Sequence, residues 1–460
     1  MSDSLMISVS GIRGHVGTDL TPELVARYAA ALGAWAASAR PRSSSARPAV
    51  VLGRDARTSG DMFARSAAAG LMSVGVDVID LGIVPTPTVQ LAVEHHGAAA
   101  GLILTASHNP IEWNALKFVG PDGIFLDAEA GSLVRALADR GPPRAGWADL
   151  GTIQEDHQAV ARHLDAILAL PMLDLAAIRA RRFTVGLDCV RGAGASAIPP
   201  LLERLSCRVH GINLEMDGRF PRAPEPVPEN LGELGALVRN SHADLGLAVD
   251  PDVDRLALVD ETGTPIGEDY TLAFAARAVL DRRGSGGPVP TVVVNLSTSL
   301  VVEDVARAAG ARFIRAPVGE ANVARTIRDE HALIGGEGNG GVMLPQLHIG
   351  RDAPLGVALI LHLLAQTRVT LSRLVAESPR YTIVKAKAPR GPDLQQLYQR
   401  LRQRFADAAA DQRDGLRLAW SDRWLHVRPS GTEPIVRLIA EAPTQAEAEA
   451  LVAASRELLD

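Results

Sequence analysis

Residues 101–110 read Gly-Leu-Ile-Leu-Thr-Ala-Ser-His-Asn-Pro, an apolar strand running directly into a polar loop where proline stops further pairing. Two more apolar runs lie upstream, Ala49-Val-Val-Leu-Gly53 and Val76-Asp-Val-Ile-Asp80. Helical spacing over Asp61 to Val74 separates them, and a helix near Thr88–His96 follows. Strand, helix and strand with short connections predict a mainly parallel sheet covered by helices. Such sheets carry their sites at the C-terminal ends of their strands, and Ser107 stands at one.

The pattern restarts twice further along. Phe183-Thr-Val-Gly-Leu-Asp188 is a strand, Arg191-Gly-Ala-Gly194 opens a helix, and Asp244-Leu-Gly-Leu-Ala-Val249 is another strand. A turn-rich loop, Gly284–Pro290, precedes the strand Thr291-Val-Val-Val-Asn295. The last ninety or so residues differ: a strand over Tyr381–Ala388, a long helix from Asp393, three short strands, and a closing helix from Thr444. That order predicts a separate α+β domain. The expected organisation is three α/β domains, 1–150, 151–256 and 257–367, and a C-terminal α+β domain, 368–460. The Ser/Arg/Pro segment Ala39–Pro48 reads as a surface loop.

Composition agrees and excludes several classes. A chain of 460 residues suggests about three domains, and 47% hydrophobic with 22% charged residues is ordinary globular usage. A net charge of −6 with 4% aromatics argues against general nucleic-acid binding, which needs a basic surface. The longest alanine-rich run, Tyr28 to Ala39, is too short for a membrane span and reads as a buried helix. Met1-Ser2-Asp3-Ser4 lacks the basic-then-apolar order of a signal peptide, and Cys189 and Cys207 make no disulfide framework. A cytoplasmic protein is expected.

Chemistry concentrates in four loops. Ser107, with His108 and Asn109 beside it, is a candidate nucleophile or phosphate carrier, though alone it would read as a turn residue bonding its own backbone. A Ser-His hydrolase pair is disfavoured, because neighbours on extended backbone point apart. Asp250-Pro-Asp-Val-Asp-Arg255 follows a strand and offers three carboxylates at alternate positions. Their repulsion calls for a cation, and oxygen-only ligands suit Mg²⁺. An EF-hand loop fails because its sixth position is Arg255 rather than glycine and Leu256-Ala-Leu-Val259 is a strand. A haloacid-dehalogenase-type phosphatase also begins Asp-x-Asp, but with Thr or Val where Asp254 stands. Gly335-Gly-Glu-Gly-Asn-Gly-Gly341 lets backbone approach a ligand while Glu337 and Asn339 offer an acceptor and an amide suited to sugar hydroxyls. Arg428-Pro-Ser-Gly-Thr-Glu-Pro434 combines backbone N–H groups at Ser430, Gly431 and Thr432, two hydroxyls and a guanidinium into an anion nest.

In this order the four loops resemble those of the α-D-phosphohexomutase superfamily, which includes phosphoglucomutase, phosphomannomutase and phosphoglucosamine mutase. Gly11-Ile-Arg-Gly14 and Asn114-Ala-Leu-Lys-Phe118 add to the resemblance, which covers essentially the whole chain. It implies four domains around one cleft, and a phosphoserine at Ser107 that exchanges its phosphoryl group with a hexose phosphate through a 1,6-bisphosphate, which also acts as activator. It further implies one Mg²⁺ held by Asp250, Asp252, Asp254 and a Ser107 phosphate oxygen. Arg13, His108 and Arg255 would stand beside the transferring group, with Lys117 as a candidate general acid/base. Glu337 and Asn339 would bind the sugar, and Arg428, Ser430, Gly431 and Thr432 the phosphate that is not reacting.

The sugar loop departs from the family's usual Glu-x-Ser-Gly-His by ending in Gly341, and Ala316-Pro-Val-Gly-Glu-Ala-Asn322 lacks a common Gly-His. Both are closest to the phosphoglucosamine mutase branch, so glucosamine phosphate is the expected substrate, with phosphomannomutase/phosphoglucomutase activity as the alternative. The expected partner is a small sugar phosphate, with no nucleic acid and no membrane, acting on a monomer or homodimer. A metal-dependent phosphatase using Asp250 as nucleophile, or a non-catalytic sugar-phosphate binder, would leave some of these loops idle.

Overall fold

The computed structural model describes residues 5–8, 11–39, 47–282, 287–389, 393–430 and 435–459. Most of the Ser/Arg/Pro segment, part of the turn-rich loop before residue 290, and Gly431 and Thr432 of the fourth motif lie outside the described residues.

Three of its four sheets repeat one plan. In the first, Ala49–Arg54 pairs in parallel with both Asp77–Ile83 and Ala100–Leu104, and Trp113–Val119 adds antiparallel to the last. In the second, Thr184–Asp188 pairs in parallel with Arg208–Ile212 and Leu245–Val249, and Leu256–Val259 closes antiparallel. The third repeats this with Thr291–Asn295, Arg312–Ala316, Ile334–Glu337 and Gly341–Met343. Each unit thus ends in a hairpin whose loop leaves the C-terminal end of a central parallel strand. The apolar runs form these strands because both faces are covered: every residue of Ala100–Leu104, Leu245–Val249 and Thr291–Asn295 is buried.

The first sheet is extended at its edges by Met6–Ser8 and Gly11–His15 on one side and Ile153–Glu155 on the other. The last of these lies beyond residue 150. Residue 256 likewise opens the second strand of the second unit's closing hairpin, so that unit continues past the expected boundary. Apolarity marks a strand but not its partner, and pairing decides which unit a strand joins.

One large core runs through the second and third units, with the helix Ala353–Thr367 buried along nearly its whole length. Leu371 and Leu374 belong to that core, past residue 367. The C-terminal domain has its own core and a wholly antiparallel sheet of five strands. Four strands follow its first helix rather than three, because Ala409–Asp411 pairs at the edge with no apolar pattern to announce it. Asp393 caps that helix, and the closing helix begins with a reciprocal Thr444–Glu447 capping box.

Candidate active site

The serine loop, the acidic loop and the glycine loop are the closing hairpin connection of the first, second and third unit, respectively. Ser107 is buried and has a left-handed backbone, φ 49°, uncommon for a residue with a side chain. This turn brings its Oγ 3.4 Å from His108 Nδ1, so the expectation that the two neighbours point apart does not hold. That expectation assumed extended backbone. The hydroxyl instead donates to Asp250 Oδ2 at 2.9 Å, joining the serine loop to the acidic loop.

An arginine that sequence reading missed holds the serine loop in place. The Arg57 guanidinium is fully buried and donates to the carbonyls of Ser107, Asn109, Pro110 and Trp113 at 2.6–2.9 Å, and to Asp55 Oδ2 at 3.1 Å. Asp55 also accepts from the Thr105 hydroxyl, which in turn accepts the Ser107 N–H. Burial pushes the Asp55 carboxyl up despite Arg57 beside it. Arg57→Met leaves a buried carboxylate unpaired and four carbonyls without donors, and should cost about 3–5 kcal/mol of stability. Denaturant unfolding checks this, and the folded fraction should show a kcat loss that Arg57→Lys only partly relieves, since an ammonium cannot reproduce the fork.

The acidic loop places Asp250, Asp252 and Asp254 with one ligand oxygen each, all within 4.8 Å of one another. Val253 between them has φ 63°, strained for a β-branched residue, and this bend lets the flanking carboxylates converge. Their partners sort the oxygens. Asp250 uses both, accepting from Ser107 and from the Arg255 N–H. Asp252 Oδ2 accepts from Lys117 Nζ at 2.7 Å and from the Thr86 hydroxyl at 2.9 Å. Asp254 Oδ2 accepts from Arg351 at 2.6 Å. Asp252 Oδ1 and Asp254 Oδ1 are buried with no hydrogen-bond partner. Buried carboxylate oxygens without a hydrogen bond, in a triad this close, fit a hard divalent cation.

Charge states follow from this crowding. Burial and the two neighbouring aspartates push Asp250 well above the ordinary carboxylate range. Burial would raise Asp252 too, but Lys117 and its hydrogen bonds hold it below that range. Burial disfavours the Lys117 ammonium, yet Asp252 and Asp254 more than offset this and keep it charged. Arg255, burial and Arg13 depress His108 well below a normal imidazole, leaving it neutral. Arg13 donates to Asn109 Oδ1 at 2.6 Å.

The acidic residue of the glycine loop already has protein donors. Glu337 is buried, with Oε1 accepting from Asn295 and the Gly319 N–H and Oε2 from Arg351 at 2.8 Å. Both oxygens are occupied, because five glycines fold into a tight hairpin rather than an open loop. Asn339 lines the cleft, its Oδ1 accepting the Gly341 N–H.

That cleft, about 790 Å³, is lined by Arg13, His108 and Asn109 from the first unit, Glu225 from the second, Asp269 and Asn339 from the third, and Arg428 from the fourth domain. Arg428 Nε lies 3.2 Å from Asp414, whose carboxylate also accepts the Val318 N–H of the third unit. His426 bonds Ser297 across the same boundary at 2.8 Å, and Glu441 accepts from Leu300 N–H at 2.8 Å. Burial lowers His426 to about 4, so this seam is uncharged at His426 near neutrality. Ser430 is buried at the end of the strand Trp424–Pro429.

Arg57, Arg351, Thr86, Asn295 and Glu320 were not singled out from sequence. Asp55, Asn295 and Glu337 share a signal that would have found this neighbourhood: each lies at or just past the C-terminal end of a parallel strand.

A hydroxyl and a carboxylate triad at strand ends, beside a cleft that His108, Asn109 and several arginines line, define a four-domain enzyme of phosphoryl transfer. The models of the phosphoglucomutase/phosphomannomutase family match in order: α/β/α domain I over residues 5–143, domain II over 161–263, domain III over 267–381 and the C-terminal domain over 383–458. The chain belongs to this family, whose mutases are isomerases that transfer phosphoryl groups intramolecularly. It is 37% identical over 448 residues to a protein of Methanopyrus kandleri named "Probable phosphoglucosamine mutase", covering 96% of this chain and 95% of that one. It is 36% identical over 455 residues to a "Phosphoglucomutase/phosphomannomutase" of Thermococcus kodakarensis, covering 98% and 97%. A crystal structure of a family protein from Burkholderia thailandensis superposes with a TM-score of 0.86 at 26% identity, covering 100% of this chain and 97% of that one.

Proposed function

We propose that the protein is a phosphohexomutase working through a phosphorylated Ser107, with glucosamine phosphate as its preferred substrate. The observation that carries the mechanism is the 2.9 Å contact of Ser107 Oγ with Asp250 beside two orphaned aspartate oxygens. Asp250, Asp252 and Asp254 would hold Mg²⁺, which supplies charge neutralisation for the transferring phosphoryl group.

The chain's own groups do the rest. The Oγ–P bond of phosphoserine breaks as a bond from phosphorus to the sugar oxygen forms, and the sugar hydroxyl gives up its proton. Neutral His108, at the serine, is in the state to accept that proton. Lys117, an ammonium on Asp252, is the candidate general acid that returns a proton to Ser107 Oγ, a proton that Asp252 and Asp254 hold more tightly than a free lysine would. Arg13 and Arg255 would stand beside the transferring phosphoryl group, and Arg428, the Ser430 hydroxyl, Gly431 and Thr432 would bind the phosphate that is not reacting, since the Ser430 N–H already donates to Ile435. The bisphosphate formed in the first half then turns over and returns its other phosphoryl group to Ser107.

A phosphatase with Asp250 as nucleophile fits less well, since both Asp250 oxygens already accept hydrogen bonds. A non-catalytic binder has no use for a buried triad that demands a cation.

For the sugar, Glu337 already accepts from Arg351, and the further acidic residues lining the cleft are Asp269, which burial pushes up to about 8, and Glu225, which accepts from Arg255 and is the carboxylate that supports recognition of a C2 ammonium. The relative named as a phosphoglucosamine mutase supports this reading, while the similarly identical phosphoglucomutase/phosphomannomutase supports a broader one. Side-by-side kcat/KM values for glucosamine 1-phosphate, mannose 1-phosphate and glucose 1-phosphate should favour the first by about tenfold or more. A preference for either neutral sugar overturns the substrate and leaves the mutase mechanism standing.

A further inference from the structure

Arg351 is buried, and its guanidinium reaches three anions from three separate segments. It donates to Asp254 Oδ2 of the acidic loop at 2.6 Å and to Glu337 Oε2 of the glycine loop at 2.8 Å. Its Nε lies 3.1 Å from Glu320 Oε2, and its backbone N–H donates to Glu320 Oε1. Burial opposes the charge, but Asp254, Glu320 and Glu337 together keep the guanidinium firmly protonated. By taking Oδ2 of Asp254, Arg351 leaves Oδ1 as the orphaned oxygen among the triad. Outer hydrogen bonds of this kind fix which oxygen a ligating carboxylate presents.

The glycine loop is built around this side chain. A Cβ on Gly341 would lie 2.2 Å from Arg351 Cδ and 2.8 Å from its Cγ. The aliphatic stem therefore occupies the room that any side chain at the end of the loop would need. Gly341 and Arg351 are consequently one feature: the loop ends in glycine so that the arginine can pass from sugar side to metal side. Asp352, next in the chain, donates its N–H to Val342 of the hairpin, and Ala353 donates to Val253 of the acidic loop at 3.3 Å.

We propose that Arg351 is a positioning residue that couples the two loops, so that occupation of the carboxylate triad by a divalent cation tightens binding of sugar phosphate, and the reverse. A cation at the triad draws Asp254 inward, and the shared guanidinium transmits that shift to Glu337 and the loop carrying Asn339. Thermodynamic linkage requires the effect to be reciprocal.

The test uses full-length protein with Ser107 unphosphorylated, so that no turnover occurs, and Mn²⁺ as the cation probe. Its Kd is measured by titration calorimetry with and without glucosamine 6-phosphate, and in parallel with mannose 6-phosphate, so the result does not hinge on which sugar is preferred. Either sugar phosphate that binds should tighten Mn²⁺ by about fivefold or more. The factor should fall to near one in Arg351→Lys, which keeps the charge but not the fork, and in Gly341→Ala, which keeps Arg351 but displaces its stem. Where one variant fails to fold, the other carries the comparison. Absence of coupling in the unaltered protein, or coupling retained in either folded variant, overturns the proposal.

Discussion

Ser107→Ala should lower mutase turnover by on the order of 10⁴-fold or more, the scale seen when an enzyme loses the group that becomes covalently modified. The hydroxyl is the only atom removed, and its partners are Asp250 and His108, so the loop braced by Arg57 should keep its shape. Without Oγ there is nothing to carry the phosphoryl group between the two halves of the reaction. Intact-mass analysis should show a fraction of the unaltered protein one phosphate heavier, with that species missing from the variant. Sugar-phosphate affinity should survive, because Arg428 and the cleft residues are untouched. A variant that turns over near normally would place the phosphoryl carrier elsewhere.

Removing divalent cations should abolish turnover, and Asp252→Asn should raise the metal concentration needed to restore it. Without a cation, Asp252 Oδ1 and Asp254 Oδ1 stay buried without a hydrogen bond, and burial with the two neighbouring carboxylates raises the affinity of Asp250 for a proton. Metal ligands must be deprotonated, so cation binding should expel that proton. The sign follows from the raised pKa: below it the cation competes with a proton, and apparent affinity should fall by about tenfold per pH unit as pH drops. Above it the dependence should flatten. Calorimetric titrations of Mn²⁺ in two buffers of different ionisation enthalpy measure the proton release directly. Full activity in excess chelator, or binding without proton release below that pKa, would remove the metal from the triad.

Sequence reveals the parts of this site that are local and hides those that are not. Ser107 and the three aspartates stand out because an apolar strand delivers each group and its polar residues lie within a few positions of one another. Arg57 and Arg351 give no such signal, since their meaning lies in contacts with Ser107 and Asp254, 50 and 97 residues away. Glu337 looked open because glycines suggest a pliable loop, whereas backbone pairing of Gly336 with Val342 makes a rigid hairpin around its carboxylate. Lys117 drew notice only through its neighbours in the resemblance, and its ammonium is explained by two aspartates on another unit. The parallel sheets were legible from buried apolar runs, but their common strand order was not, because pairing partners leave no mark on composition.

That common order has a practical side. Each of the three working hairpins hangs from its own sheet, so lengthening or re-sequencing one connection leaves the anchors of the others intact. The span between paired strands shrinks from residues 105–112 to 250–255 to 338–340, and each length suits a different job on the same mount. An engineer retuning the phosphoryl carrier has only its contacts with the acidic loop to preserve, Ser107 with Asp250 and Lys117 with Asp252. The other two are not separable in that way, because one arginine stem is wedged between them, and whoever redesigns the grip on the sugar will be redesigning the grip on the cation as well.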